Sequence, residues 1–161
     1  MEKVKKVLLV VFVMMFFIGI ILVTDFGKMQ KYKNDEVTDL ANLGYRQMQT
    51  GDLVTGKVDY VLDTVAEEYE TKFGIRTSDD STKLYYIISL PNSYAVYETS
   101  NKEEYDTLDK ICNETWDYLN SEDGSAPAPT SNLMIQGEVK KMDDKVAGYF
   151  KDWFKEQADF S

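Results

Sequence analysis

Leu53 to Asp63 reads LVTGKVDYVLD, and it alternates: Val54, Gly56, Val58, Tyr60 and Leu62 fall on one side, Thr55, Lys57, Asp59 and Asp63 on the other. An extended chain turns successive side chains to opposite faces, so the pattern predicts one half-buried strand over the whole stretch. Gly56, on the inward side, has no side chain to pack, which predicts a bulge, a bend or the close approach of another part of the chain. The signature recurs at Leu133 to Asp143, LMIQGEVKKMD, with Leu133, Ile135, Gly137 and Val139 on one face. Val54-Thr55-Gly56-Lys57-Val58 thus matches Ile135-Gln136-Gly137-Glu138-Val139. An internal duplication and two strands bending round one small sheet both account for the match; its shortness favours the second.

Between these strands lies the rest of a β-rich core. Lys83 to Leu90, KLYYIISL, is nearly continuous apolar and β-prone, which predicts a central strand covered on both faces. Pro91-Asn92-Ser93 turns it, and Tyr94 to Thr99 is its hairpin partner. Thr64 to Thr71 fits either an extension of the first strand or a helical turn, and Thr77 to Thr82 is a polar loop. Upstream, Thr50-Gly51-Asp52 is the turn into the first strand. Phe26 to Gln49, with Val37, Leu40, Leu43 and Gln47 at helical spacing, predicts a short helix or stalk.

Two helices are expected. Ser100 with Glu103, or Asn101 with Glu104, has capping-box spacing, and Tyr105, Leu108, Cys112, Thr115 and Leu119 then form an inward stripe, with Trp116 and Tyr118 at the edge of the same core. Ser121 to Ser131, SEDGSAPAPTS, is a surface excursion without an apolar anchor, expected to tolerate change. Asp143 or Asp144 caps a final helix whose Val146, Tyr149, Phe150, Trp153 and Phe154 recur at three- and four-residue intervals and pack on the sheet.

The N-terminus sets the location. Val7 to Thr24, VLLVVFVMMFFIGIILVT, contains no charge, follows Lys3, Lys5 and Lys6, and precedes Asp25. At helical rise its length is about 27 Å, close to a hydrocarbon core of about 30 Å. A cleavable signal peptide would have a shorter apolar region ending in a small-x-small site, and Ile21-Leu22-Val23 is no such site. An uncleaved anchor is the reading. Lys28, Lys31 and Lys33 match the three leading lysines in number, but Lys5, Lys6 and the free amino group abut the apolar stretch, which places the N-terminus in the cytoplasm and the domain outside.

Composition excludes several functions. Net charge is −10, and because the first 24 residues hold three lysines and one glutamate, the remainder carries −12. Phosphate backbones are recognised by clustered Lys and Arg, so nucleic acid is no expected partner. Histidine is absent, which removes the usual general base near neutral pH and the commonest zinc ligand. The single cysteine, Cys112, allows no internal disulfide and no cysteine zinc cage, and it reads as a small buried hydrophobe. Among carboxylates, Asp59 and Asp63 are about 13 Å apart on a regular strand, too far for a dyad. Asp79-Asp80 and Asp143-Asp144 sit at loop or cap positions, and no calcium-loop spacing occurs. Asn113-Glu114-Thr115 has sequon spacing inside a predicted helix and reads as chance. No catalytic, cofactor-binding or metal-binding residue is assigned.

The run Gly51 to Leu62, followed by Tyr85-Tyr86, Tyr105-Asp106-Thr107-Leu108 and Gly137-Glu138-Val139, resembles an uncharacterised family of small membrane-anchored proteins from low-GC Gram-positive bacteria. The resemblance implies a bacterial plasma membrane and an accessory domain. It transfers no catalytic residue.

These readings give an α+β protein: an N-terminal transmembrane anchor (1–24), a stalk or short helix (25–50) and a single α+β domain (51–161). The domain is a small curved, mainly antiparallel sheet, with a partly open barrel as its variant form, and two packed helices. The expected function is a membrane-tethered extracytoplasmic binding or scaffolding module, held by residues 7–24 and engaging an unidentified protein partner. A histidine-independent hydrolase or transferase built on carboxylates is the alternative.

Overall fold

The computed structural model describes residues 37–42, 48–69, 71–72, 75–76, 82–91, 93–121 and 124–158. The anchor stretch Val7 to Thr24, most of the residues read as a stalk, and Asp79-Asp80 lie outside them. A compact unit begins at Thr38. Its elements are β1 (Thr38–Asp39), a 3-10 turn (Leu40–Asn42), β2 (Leu53–Val58), β3 (Val61–Glu68), β4 (Thr71–Lys72), β5 (Ile75–Arg76), β6 (Lys83–Leu90), β7 (Ser93–Thr99), α1 (Lys102–Leu119), β8 (Leu133–Glu138) and α2 (Asp144–Ala158). The fold is α+β, as expected.

One curved sheet was expected, and the strands instead form two three-stranded sheets, β1-β2-β8 and β3-β6-β7, with a two-stranded ribbon β4-β5 and no closed barrel among the described residues. The division falls inside the stretch read as a single strand. Asp59 and Tyr60 leave the ladder between β2 and β3, and the alternation slips by one residue there. Val54, Gly56 and Val58 are buried as predicted, but the next buried position is Val61, at 0% exposure, while Tyr60 and Leu62 are only half-buried. A slip of one residue exchanges the faces of a strand. It allows Val58 and Val61 to enter one core from different sheets.

α1 holds this break together. Val61 pairs with Ile88 of β6, and its N–H, turned to the outer side of β3, donates to Thr115 Oγ1 at 3.4 Å, while the Thr115 hydroxyl donates to the Ile111 carbonyl at 2.7 Å. One residue on, Trp116 Nε1 donates to the Leu62 carbonyl at 2.7 Å, beside a register shift between Val61 and Asp63. Thr115, in the sequon, is thus a buried structural residue.

β2 and β8 pair antiparallel, with Gly56 opposite Ile135 and Gly137 opposite Val54. The two matching pentapeptides are therefore neighbours in one sheet. Their glycines differ in use. A Cβ on Gly56 would stand 2.7 Å from Leu40 Cβ, whereas one on Gly137 would meet nothing within 4 Å. Leu40 is the approaching group that Gly56 predicted, and it is a core residue at 5% exposure. What was read as stalk or short helix thus contributes a parallel strand, a 3-10 turn and a core side chain.

β6 is the central strand as expected. Tyr86, Ile87 and Ile88 are successively 0%, 0% and 2% exposed, which requires cover on both faces. On one side Tyr86 and Ile88 meet Leu40, Val54, Ile135 and, from α1, Leu108 and Ile111. On the other side Ile87 pairs with Asp63, whose carboxylate accepts from Trp153 of α2. Tyr94 packs beside Phe154 with ring centroids 4.9 Å apart. The final helix therefore packs on the sheet, as its spacing predicted.

The α1 stripe is rotated from the prediction. Leu108, Ile111 and Thr115 are buried, Cys112 is half-buried, and Leu119 is 54% exposed. Ile111 rather than its neighbour Cys112 is the fully buried residue of this turn, and Thr115 and Trp116, bonded to Val61 and Leu62, fix the helix in that rotation. Asn101 is the N-cap, its side chain accepting from the Glu103 N–H at 3.0 Å. Glu104 does not close a capping box onto the Asn101 backbone. Its carboxylate accepts from Tyr97 Oη at 2.8 Å and Thr99 Oγ1 at 2.6 Å, which ties α1 to β7.

The loop before β8 is anchored, contrary to expectation. Glu114 accepts from the backbone N–H of Thr130 and Ser131 at 2.8 and 2.9 Å and from Ser131 Oγ at 2.8 Å. A polar clamp replaces the missing apolar anchor.

Candidate functional site

Of the acidic pairs weighed from sequence, Asp59 with Asp63 and Asp143 with Asp144 are among the described residues, and each carboxylate has a partner of its own. Asp59 is taken by Lys57 at 2.7 Å, and Asp63 by Trp153 Nε1 and the Thr64 N–H. Asp143 is the N-cap of α2, its carboxylate accepting from the Lys145 N–H at 2.8 Å, and Asp144 lies 4.0 Å from Lys141 on the surface. Among the described residues no group of three His, Cys, Asp or Glu side chains converges to hold a metal ion. Burial, with Asp63 and Asp109 nearby, pushes the Cys112 thiol up to about 11, so its nucleophilic thiolate is scarce near neutral pH.

Two recesses among the described residues bear on function. The smaller, about 410 Å³, lies where α2 begins over the outer face of β3 and β6 and is lined by Glu67, Glu68, Asp143, Lys145, Tyr69, Tyr85 and Tyr149 among others. Tyr85 Oη donates to Glu68 Oε2 at 2.9 Å, and burial followed by that bond pushes its phenol well above the ordinary range. Lys145 Nζ stands 5.9 Å from the centroid of the Tyr149 ring. The chemistry on offer is a carboxylate-rich, tyrosine-walled surface.

The larger recess is a groove of about 830 Å³ between the two sheets, lined by consecutive residues from both. Tyr94 to Glu98 of β7 form one wall, Ile135 to Asp143 of β8 and its exit the other, and Leu40, Met48, Val54 and Ile88 the floor. One side chain of the β7 wall fixes it to α1. Tyr97 is held by Glu104, and burial together with that bond raises its phenol above the ordinary range. The β8 wall is fixed to β2 by reciprocal backbone bonds, Gly51 N–H to the Val139 carbonyl and Val139 N–H to the Asp52 carbonyl, both 2.8 Å; Gly51 supplies the φ of +98° this turn needs. Ligand sites favour apolar walls with a few polar groups, and this groove fits that description.

The strands that wall the groove, β7 and β8, were expected, but the groove was not. Tyr94 to Glu98 read as a hairpin partner, and only the strand order shows that β7 has a single neighbour among the described residues.

Fold and groove together define a small α+β domain with a groove between its two sheets. The whole chain, residues 1–161, matches the family described as Domain of unknown function (DUF8577), and the chain belongs to that family. No curated protein and no solved structure matches it. No helix among the described residues is long and apolar enough to cross a membrane, and Val7 to Thr24 is not among them.

Proposed function

We propose that this chain is a single-pass membrane protein of low-GC Gram-positive bacteria that holds an α+β binding module outside the cell. The groove between β7 and β8 carries the binding part of this reading, because its apolar floor and backbone walls are recognition features. Val7 to Thr24, behind Lys5 and Lys6, carries the tether and its direction. Ser125→Cys tests both. The residue is exposed, and the half-buried, high-pKa Cys112 contributes little background. A membrane-impermeant maleimide is expected to label intact cells, and labelling only after lysis reverses the orientation. Release of the protein from membranes by alkaline carbonate removes the anchor.

The second reading, a histidine-independent hydrolase or transferase, draws on the cleft that holds Glu67, Glu68 and Asp143. Turnover of a chromogenic ester or glycoside that falls about 100-fold in Glu67→Gln, and not in Asp117→Asn, would establish it. No turnover across such a panel leaves the binding module as the reading.

A further inference from the structure

We propose that the groove takes one extended segment of another polypeptide, which adds to the open edge of β7 as a fourth strand of its sheet. This rests on the binding-module reading and names the partner's chemistry. The groove touches Tyr94 through Glu98 without a gap, so residues of both faces of β7 border it. A recess on one face of a sheet would touch alternate residues only. The groove therefore runs along the edge.

The direction of the backbone groups agrees. Ser89 N–H donates to the Tyr60 carbonyl, toward the β3 side, and Ser89 pairs with Tyr94. In an antiparallel ladder such a pair points its N–H and C=O groups away from each other, so those of Tyr94, Val96 and Glu98, at every second residue, face the groove. Size agrees as well. With a rise of about 3.3 Å, a strand spacing of about 4.8 Å and layers about 10 Å apart, one strand residue fills about 160 Å³. The groove's volume of about 830 Å³ then holds about five residues, matching the length of its β7 wall. Main-chain bonds would supply affinity, and the apolar floor at Ile88, Val54 and Met48 would select every second side chain of the incoming strand.

The test uses the full-length chain in detergent micelles, residue-resolved hydrogen exchange and two capped heptapeptides, one alternating threonine and valine, the other with proline at its centre. In the free chain, the Tyr94, Val96 and Glu98 amides should exchange about tenfold or more faster than those of Ala95 and Tyr97. The alternating peptide should slow all three about tenfold, saturably, and the proline peptide should need about tenfold higher concentration. Glu98→Pro, at an exposed edge position where proline is tolerated, should keep the melting temperature within a few degrees and weaken peptide binding about tenfold. Three amides already slow in the free chain would overturn the inference, since the position would then be filled from within the chain. Lack of protection at millimolar alternating peptide would overturn it too.

In cells, a photo-reactive phenylalanine analogue is placed at Tyr97 or, on the exposed helix surface, at Asp117. Capture from position 117 alone overturns the inference and leaves the module standing. Capture from neither defeats both. A segment captured from position 97 supports the inference if its synthetic peptide protects the same three amides, and overturns it otherwise.

Discussion

Trp153 Nε1 donates to Asp63 Oδ2 at 2.7 Å, joining α2 to the start of β3 across ninety residues of chain. Trp116 Nε1 donates to the Leu62 carbonyl at the same distance, so consecutive residues of one strand each hold an indole from a different helix. The strand is irregular there, and both bonds lie beside its register shift. A hydrogen bond to a charged group contributes about 1.5–3 kcal/mol, and a neutral one about 1 kcal/mol. Trp153→Phe keeps the aromatic packing on Phe154 and loses the bond, so it should cost about 1–3 kcal/mol in a urea titration. A loss below about 0.5 kcal/mol would show that the bond does not hold α2 in place.

The two strand glycines give opposite expectations. Gly56→Ala drives a methyl group to 2.7 Å from Leu40 Cβ and should destabilise by about 1–3 kcal/mol. Gly137→Ala adds a methyl group in open space and should stay within about 0.5 kcal/mol of the parent, or stabilise by reducing unfolded-chain freedom. Equal effects in thermal unfolding would contradict the position of Leu40.

Rotation of α1 is tested by two alanines. Ile111→Ala empties a fully buried site and should cost about 2–5 kcal/mol. Leu119→Ala trims a side chain that is 54% exposed and should change stability by about 0.5 kcal/mol or less. A larger loss at Leu119 would restore the stripe predicted from spacing.

The Glu114 clamp has a pH signature. Bonds from the Ser131 backbone, the Ser131 side chain and the Thr130 backbone hold its carboxyl below the ordinary value of 4.5. A carboxylate with a depressed folded pKa contributes stability that is fully present above the unfolded value and is lost as pH falls through the folded one. Parent and Glu114→Gln should therefore differ most above about pH 5 and converge as pH falls below 4.5. Urea midpoints measured between pH 7 and pH 3 check this, and a gap that widens on acidification would reject the clamp.

Cys112 should be slow to react while the domain is folded. With its thiol pushed up to about 11 from 9.0, the thiolate fraction at pH 8 falls roughly 100-fold. Alkylation by iodoacetamide should be slower than in urea by about that factor, and comparable rates would mean that the side chain is open to solvent.

Much of the fold was legible because local pattern and tertiary demand agree there. The apolar run of β6 anticipated its double cover, the alternation at Val54-Gly56-Val58 anticipated the inward face of β2, and Asn101 and Asp143 anticipated the helix starts. Gly56 anticipated a close neighbour, although not that the neighbour is Leu40. The break at Asp59-Tyr60 was not legible. A slip of one residue leaves the apolar composition of a stretch unchanged, and both Leu62 and Val61 look suitable for burial. Partners distant in sequence decide it: Thr115 takes the Val61 N–H and Trp116 the Leu62 carbonyl.

The sequence by itself determined the strands β6, β7 and β8, the two long helices, the acidic character, the lack of histidine and the uncharged stretch Val7 to Thr24, since each is a property of neighbouring residues or of composition. Tertiary structure alone decided that there are two sheets, that Ile111 rather than Leu119 faces the core, and that β7 borders a groove. A strand carries the same residues whether it is central or at an edge. Whether its outward backbone groups are paired depends on what the rest of the chain places beside it.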